Sequence, residues 1–341
     1  MIIKIALLGF GTVAKGLCEI LKKKKIFLKE KYGFDYKIVA VADSRYGNVY
    51  NPDGLNIDTM IMEAMHESMF TKDVVKLDNL SLIKECNADI ICELTYTNLK
   101  DGGAAIKHCK TALIAGKHIV TSNKGPAVLY YSELKKLADD NEVKFMIEGT
   151  VVAGTPVINL IDGPLAGCEV TKIRGILNGT TNFILSEMEK GKPYLEVLKL
   201  AQKLGYAEAD PSGDVDGLDA RGKVSILANI VMDAGIKISD VSCEGISNIT
   251  LENIQDAMKQ NARYKLIGTV EKKNGKIIGS VAPEMININH PLAAINGVTN
   301  ALTFTTDLLG DITIIGPGAG KEETGFSILT DILAIHRSVK C

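Results

Sequence analysis

Ile2-Ile3-Lys4-Ile5-Ala6-Leu7-Leu8 runs without a break into Gly9-Phe10-Gly11-Thr12-Val13-Ala14-Lys15-Gly16-Leu17-Cys18-Glu19-Ile20-Leu21. The first seven residues are apolar and rich in β-branched side chains, the composition of a short strand buried on both faces. From Thr12 onward the apolar residues recur with helical periodicity, so the stretch predicts a strand, a tight turn and a helix. Gly9 to Ala14 fits the pattern G-x-G-x-x-A, and each fixed position has a physical reason. The first glycine allows the turn, the second lets backbone approach a pyrophosphate, and the small third residue lets the helix pack closely on the strand. The helix N-terminus adds partial positive charge. Gly9, Phe10, Gly11, Thr12 and Val13 are therefore candidate contacts to a dinucleotide, NAD or NADP. The pattern is weak alone and gains force from its place directly after the first strand.

Outward from this unit, Lys37–Ala42, Asp89–Leu94, His118–Thr121 and Val143–Ile147 also read as strands, with helical segments such as Gly103–Ala115 and Ser132–Asp140 between several of them. Such alternation predicts an α/β fold of Rossmann type with a doubly wound parallel sheet. After Glu148 the texture changes to a Gly/Pro-punctuated stretch, a strand-like Val170–Leu177 and long helical segments starting near Leu195 and Gly217. Lys265–Val281 and Val298–Ile315 read as antiparallel strands with a Lys-Asn-Gly-Lys hairpin turn. Thr324–Ser338, after Gly-Pro-Gly-Ala-Gly, reads as a helix expected to pack back on the first domain. The predicted organisation is a dinucleotide-binding domain of residues 1–148 plus 317–341 and a second, α+β domain of residues 149–316. Lys22–Lys25 is expected on a solvated face at the end of the first helix.

The chain has 341 residues, 46% of them apolar, enough for two substantial cores. Its 39 basic and 41 acidic residues leave a formal charge of -2 and are mixed along the sequence. No summed field favours nucleic acid or anionic lipid, so a small molecule is the expected partner. The seven cysteines (Cys18, Cys86, Cys92, Cys109, Cys168, Cys243, Cys341) are odd in number and scattered, which fits neither a disulfide framework nor a zinc site. They read as reduced thiols of a cytoplasmic protein. The apolar start is too short for a signal segment, and no apolar run approaches the roughly 20 residues of a membrane helix.

The second strand ends in Asp43-Ser44-Arg45. A carboxylate there accepts from the ribose hydroxyls of NAD, whereas an arginine pairs with the extra phosphate of NADP, and both readings stay open. Thr121-Ser122-Asn123-Lys124 comes after another strand and belongs at the carboxyl edge of the sheet, where open α/β folds bind ligands. Ser122 and Lys124 are candidate contacts there, although a lysine at a strand end is commonly just solvated. The richest stretch is Gly205-Tyr206-Ala207-Glu208-Ala209-Asp210-Pro211-Ser212-Gly213-Asp214-Val215-Asp216-Gly217-Leu218-Asp219-Ala220-Arg221-Gly222-Lys223. Asp219 and Lys223 are four apart on a predicted helix and so share one face. An ordinary surface ion pair is the plain alternative. Many acids converge before the helix, and its packing face is carried separately by Val224, Leu227, Ala228 and Val231. The stretch reads as an acidic pocket for a cationic amine, with a lysine poised for proton transfer.

These motifs, in their order from GFGTVAKGL through TSNKG, IEGTVVAGTPVI, GILNGTTNFIL and GYAEADPSGDVDGLDARGK to GPGAG, resemble the homoserine dehydrogenase family over nearly the whole chain. The resemblance implies a dehydrogenase acting on homoserine or aspartate 4-semialdehyde with NADP or NAD, in threonine, methionine and isoleucine biosynthesis. It implies Lys223 as the proton donor or acceptor, Lys124 assisting near the nicotinamide, and Glu208 and Asp219 holding the substrate. Gly179, Thr180, Tyr206 and Asp214 complete the pocket, and Thr95, Tyr96 and Gly320 contact the cofactor. Glu148, Val151, Ala153 and Thr155 match a segment that binds a monovalent cation such as Na+, largely through main-chain carbonyls. A homodimer, with the second domain serving dimerisation, is also implied. Departing from the family, the residues after GPGAG read Lys321-Glu322-Glu323-Thr324-Gly325, with glycine where alanine is usual. With the sequence ending at Cys341, no regulatory ACT domain is expected.

Other readings fit less well. Aspartate-semialdehyde dehydrogenase needs a nucleophilic cysteine in a glycine-rich turn, which none of the seven has. A non-enzymatic, NAD(P)-sensing repressor needs a DNA-reading module, and no basic stripe or helix-turn-helix is apparent. A P-loop kinase lacks its G-x-x-x-x-G-K-[ST], and five isolated histidines do not make a zinc hydrolase.

Overall fold

The computed structural model describes residues 2–340, with side chains as far as Ser338. The chain separates into two compact units, Met1–Gly154 with Gly320–Cys341, and Thr155–Ala319.

The first unit is built on β1 (Ile2–Leu8), β2 (Asp35–Asp43), β3 (Gly47–Tyr50), β4 (Ile90–Glu93), β5 (His118–Thr121) and β6 (Phe145–Met146), in the sheet order β3-β2-β1-β4-β5-β6. From β2 to β6 the neighbours run parallel. Ile5 to Leu8 are buried in succession, as they must be when both faces of a strand are covered. At the edge, β3 is antiparallel to β2, which departs from the parallel sheet expected. Gly47, at φ 91°, accepts the left-handed conformation that lets the chain reverse after Arg45-Tyr46 instead of crossing over through a helix.

The first helix runs Thr12–Tyr32 and stops at Gly33, whose left-handed conformation (φ 59°) lets its N–H bond back to the last turn. Lys22–Lys25 therefore lie in the middle of the helix, not at its end. They are exposed, while Leu17, Leu21 and Leu28 are buried on the other face. The C-terminal helix Lys321–Lys340 packs on this one, its Ile328, Leu329, Ile332 and Ile335 joining Leu17 and Leu21 in the core. A pair of glycines sets their approach. A Cβ on Gly16 would lie 2.2 Å from the Lys321 carbonyl oxygen, and one on Gly325 would lie 2.6 Å from the Leu17 nitrogen. Glycine at 325 is thus required by backbone-to-backbone packing.

The second unit carries β7 (Val170–Ile176), β8 (Ser242–Cys243), β9 (Ala262–Lys273), β10 (Lys276–Asn287), β11 (Thr299–Thr306) and β12 (Gly310–Pro317), ordered β12-β11-β7-β9-β10-β8. All neighbours are antiparallel except β8 and β10. Asn274 (φ 52°) and Gly275 (φ 77°) form the two-residue turn that joins β9 to β10, as Asn-Gly predicts. Helix Leu218–Val231 lies close against these two strands because glycines face it. A Cβ at Gly268 would come within 2.7 Å of Val224 Cγ2, and one at Gly279 within 3.0 Å of Val224 Cγ1. The short strand β3 and the helices Ile57–Met65, Asn79–Glu85 and Leu251–Lys259 were not foreseen from the sequence.

Replacing Gly325 by alanine sets an overpacking cost of about 1–3 kcal/mol against about 1 kcal/mol gained from helix propensity. We expect a lower urea midpoint for Gly325→Ala; a higher one would show that the two helices can part at no cost.

Candidate active site

Polar groups gather at one place in each unit. In the first, the register pairs Leu8 with both Ala42 and Glu93, and Glu93 with Thr121, so the strands end level with one another. This brings Gly9 to Val13, Asp43, Arg45, Thr95, Tyr96, Ser122 and Lys124 to the carboxyl edge. Gly9, at φ 91°, gives its N–H to the Ala42 carbonyl at 2.7 Å. A Cβ on Gly9 would press to 2.7 Å from the Leu94 carbonyl oxygen, whereas one on Gly11 would meet nothing nearer than Arg45 Nη2 at 3.9 Å. The space before Gly11 and the helix N-terminus, with no side-chain cap and no acid in its first turn, fit a pyrophosphate.

Asp43 is buried and its carboxylate is already engaged. Oδ2 accepts from the Phe10 N–H at 2.7 Å and Oδ1 from the Arg45 N–H at 2.8 Å. Arg45 Nε also stands 3.5 Å from Oδ1, which leaves Oδ2 the less engaged oxygen. The Arg45 side chain is largely exposed and lies over the Tyr46 ring, 5.0 Å from its centroid. Lys124 opens the short helix Lys124–Leu129, which Asn123 caps by accepting the Gly125 N–H at 3.0 Å. The same Asn123 gives its amide to the carbonyls of Thr95 and Tyr96, both at 3.2 Å. Tyr96 itself is 95% exposed, open to a ligand. Below this loop lie Glu93 and His108, a buried pair that the sequence reading passed over, with Nδ1 and Oε2 at 2.6 Å. The signal was an acid ending an otherwise apolar strand. Gly320 adopts φ 141° just before helix Lys321–Lys340.

Glu148, Val151 and Ala153 are buried in the first unit, and Thr155, buried as well, opens the second. The Glu148 N–H is held by Asp331 Oδ2 at 3.0 Å, and Ala153 takes φ 43°. Among the described residues no cluster of three His, Cys, Asp or Glu side chains is placed to hold a metal, so a cation would rely on carbonyl oxygens.

In the second unit, the predicted helix forms as Leu218–Val231, and Lys223 Nζ meets Asp219 Oδ2 at 2.8 Å. Lys223 is buried, and its ammonium also donates to the Leu177 carbonyl at 2.7 Å. An ordinary surface ion pair is thereby ruled out. Asn178, missed by the sequence reading, organises the rest. Its amide donates to Asp214 Oδ1 at 2.7 Å and Asp219 Oδ2 at 3.1 Å, while its Oδ1 caps helix Gly179–Met188 through the Thr181 N–H. Gly179 is close to Val298, where a Cβ would stand 2.6 Å from the carbonyl oxygen. Thr180 donates to the Tyr206 carbonyl at 2.7 Å, and the Tyr206 ring packs edge-on against Phe183. Burial raises the Asp214 carboxyl above its ordinary range, the Asn178 hydrogen bond opposing this and the Asp219 charge adding to it. Glu208 is exposed on the loop that leads into this group.

Residues 156–333 match the family model for homoserine dehydrogenase, and residues 9–148 match that for the homoserine dehydrogenase NAD binding domain. The chain belongs to the homoserine dehydrogenase family. An NAD(+)-dependent homoserine dehydrogenase of Pseudomonas canavaninivorans is 46% identical, covering 98% of this chain and 96% of that protein. A crystal structure from Archaeoglobus fulgidus assigned to the same family superposes with a TM-score of 0.88 at 38% identity, covering 98% of this chain and 99% of that one. A hyperthermophilic archaeal homoserine dehydrogenase in complex with NADPH gives a TM-score of 0.84 at 29% identity, with 99% and 98% covered.

A fully buried lysine, Lys265, braces this homoserine dehydrogenase's second unit. Its Nζ donates to the Ile295 carbonyl at 2.5 Å and to Asn182 Oδ1 at 3.1 Å. Asn182 in turn binds the carbonyls of Gly297 and Thr299, tying the 295–299 loop to helix Gly179–Met188. Burial pulls the Lys265 ammonium from 10.5 down to about 8. Between those two values the unfolded chain holds more protons than the folded one, so this residue's contribution to stability rises with pH across the window. The unfolding free energy of the wild type relative to Lys265→Met, from urea titrations, should therefore increase between pH 7.5 and pH 10; a flat difference would remove the burial effect.

Proposed function

We propose that this homoserine dehydrogenase interconverts L-homoserine and L-aspartate 4-semialdehyde with Lys223 managing the proton, as the family does in threonine, methionine and isoleucine biosynthesis. The observation that carries the reading is the buried Lys223–Asp219 pair at 2.8 Å, set beside Asp214 and Asn178. When bound, the dinucleotide supplies or accepts the hydride. In the oxidative direction Lys223, having first lost a proton to solvent, takes the proton of the substrate hydroxyl as the neutral amine; in the reductive direction its ammonium stabilises the developing alkoxide and gives it a proton. Asp219 and the Leu177 carbonyl orient that amine. The carboxylates of Glu208, Asp214 and Asp219 attract the substrate ammonium, and Gly179, Thr180 and Tyr206 shape the pocket.

In the first unit, Gly9 to Val13 receive the pyrophosphate, Asp43 and Arg45 the adenosine ribose, and Thr95, Tyr96, Ser122 and Lys124 the nicotinamide end. Gly320 is assigned to the same cofactor. We assign the dinucleotide to residues 1–154 with 320–341, and substrate, chemistry and dimerisation to 155–319. The carbonyls of the 148–155 segment would hold a hard monovalent cation such as Na+. A homodimer is supported by β12, a sheet edge whose Ile315 is exposed, with Leu308 and Leu309 exposed at the adjoining turn. A reducing, cytoplasmic setting is supported by buried thiols. Burial, aided by Glu19, pushes Cys18 up to about 12 and burial pushes Cys109 well up, leaving both unreactive. Among the described residues no helix is long and apolar enough to cross a membrane.

Homoserine oxidation followed at the nicotinamide absorbance should be clear in the wild type and fall about 100- to 10,000-fold in kcat for Lys223→Ala. Near-normal turnover in that variant would take the proton role from Lys223. Arg45→Ala should raise the KM for NADP about tenfold and leave that for NAD within about twofold, since a charged hydrogen bond to phosphate is worth about 1.5–3 kcal/mol. An equal change for both would place Arg45 away from the ribose.

A further inference from the structure

The proton and hydride chemistry makes no use of Glu93, yet this carboxylate is fully buried at the end of β4. A buried carboxylate is costly unless it is paired and hydrogen-bonded, so its retention points to a task. Its Oε1 accepts from the Thr95 N–H at 2.9 Å, from the Thr95 hydroxyl, and from Asn123 Nδ2 at 3.5 Å. Its main-chain oxygen accepts from Thr121 Oγ1 at 2.6 Å, and that hydroxyl accepts from the Asn123 N–H at 2.9 Å. One residue thus ties the Thr95–Tyr96 loop to the Asn123–Lys124 turn.

Oε2 is held by His108. Asn48 Nδ2 donates to Asn79 Oδ1 at 3.1 Å, which turns the Asn79 amide nitrogen toward His108 Nε2, 3.4 Å away. Nε2 is then an acceptor, so the ring proton sits on Nδ1 and is given to Glu93. We infer that Glu93 and His108 are positioning residues for the dinucleotide, fixing Thr95, Tyr96 and Lys124 where the nicotinamide half is received. The inference rests on reading those three residues as cofactor contacts.

The test is dinucleotide affinity, measured by calorimetry with NAD and with NADP in the absence of homoserine, beside melting temperature and steady-state kinetics. His108→Leu removes the donor; His108→Asn keeps an N–H at the position of Nδ1; Glu93→Gln keeps the shape and loses the carboxylate. We expect His108→Leu and Glu93→Gln to weaken dinucleotide binding about tenfold, the factor of one lost charged hydrogen bond. The KM for homoserine at saturating dinucleotide should stay within about twofold, and His108→Asn should recover most of the affinity. Wild-type affinity in His108→Leu would overturn the inference. So would equal weakening in His108→Asn and His108→Leu with equal loss of melting temperature, which would mark a structural brace only. Should His108→Leu fail to fold, unchanged affinity in Glu93→Gln would overturn it alone. A wild type that binds dinucleotide but leaves homoserine untouched would sink the assigned activity and not this inference, whereas one that binds neither nucleotide would sink the inference.

Discussion

Three strand ends meet at Gly9, and the first unit's chemistry depends on how closely they can meet. Its N–H is committed to Ala42 at 2.7 Å, its α-carbon is pressed toward the Leu94 carbonyl, and the next N–H goes to Asp43. Any side chain at this position would push β1 away from the loop after β4. The same tight closure leaves open space before Gly11, so the two glycines of one motif act in opposite ways. Gly9 is filled around by protein, whereas Gly11 faces open space. A pyrophosphate needs both, since backbone N–H groups can approach it only where nothing stands in front of them.

The parts legible in the sequence were those with a short-range cause. β1 arises from a run of apolar residues, and the β9–β10 hairpin arises from Asn274-Gly275, whose positive φ values few other pairs accept. The four-residue spacing of Asp219 and Lys223 is enough to place both groups on one helix face. Long-range partners stayed hidden. Asn178 shares a hydrogen-bond set with residues 36 and 41 positions away, and its place before Gly179 marks it only as a helix cap. Gly325 looked like a departure from the family pattern because its partner Gly16 lies at the other end of the chain. The antiparallel β3 was hidden because a four-residue strand has too little periodicity to read.

Buried polar side chains repeat one device in both units. Asn123, Asn178 and Asn182 each stand near the start of a helix and hand their amides to a different segment. An amide can donate and accept at once without carrying charge, so it can cap a helix with its oxygen while its nitrogen reaches elsewhere. Apolar packing fixes distances between layers but tolerates sliding. A two-sided amide fixes register as well, which a site for hydride transfer requires because a misplacement of about 1 Å costs on the order of 100-fold in rate.

The electrostatics around Lys223 depend on the same fixed positions. Asp214 and Asp219 share one amide donor, and Asp219 also meets the lysine at 2.8 Å. Burial raises the Asp214 carboxyl above its ordinary range, with the Asn178 hydrogen bond and the Lys223 charge opposing this and the Asp219 charge adding to it. Under the proposed assignment, an incoming substrate ammonium would meet both carboxylates, which would favour a cationic amino acid over a neutral alcohol of the same length. Discrimination would then come from Asp214 and Asp219, both fixed by Asn178, with Glu208 added from the loop before them. Under the same assignment Lys223 would keep Asp219 as its paired acid while the pocket fills, leaving the proposed proton carrier undisturbed.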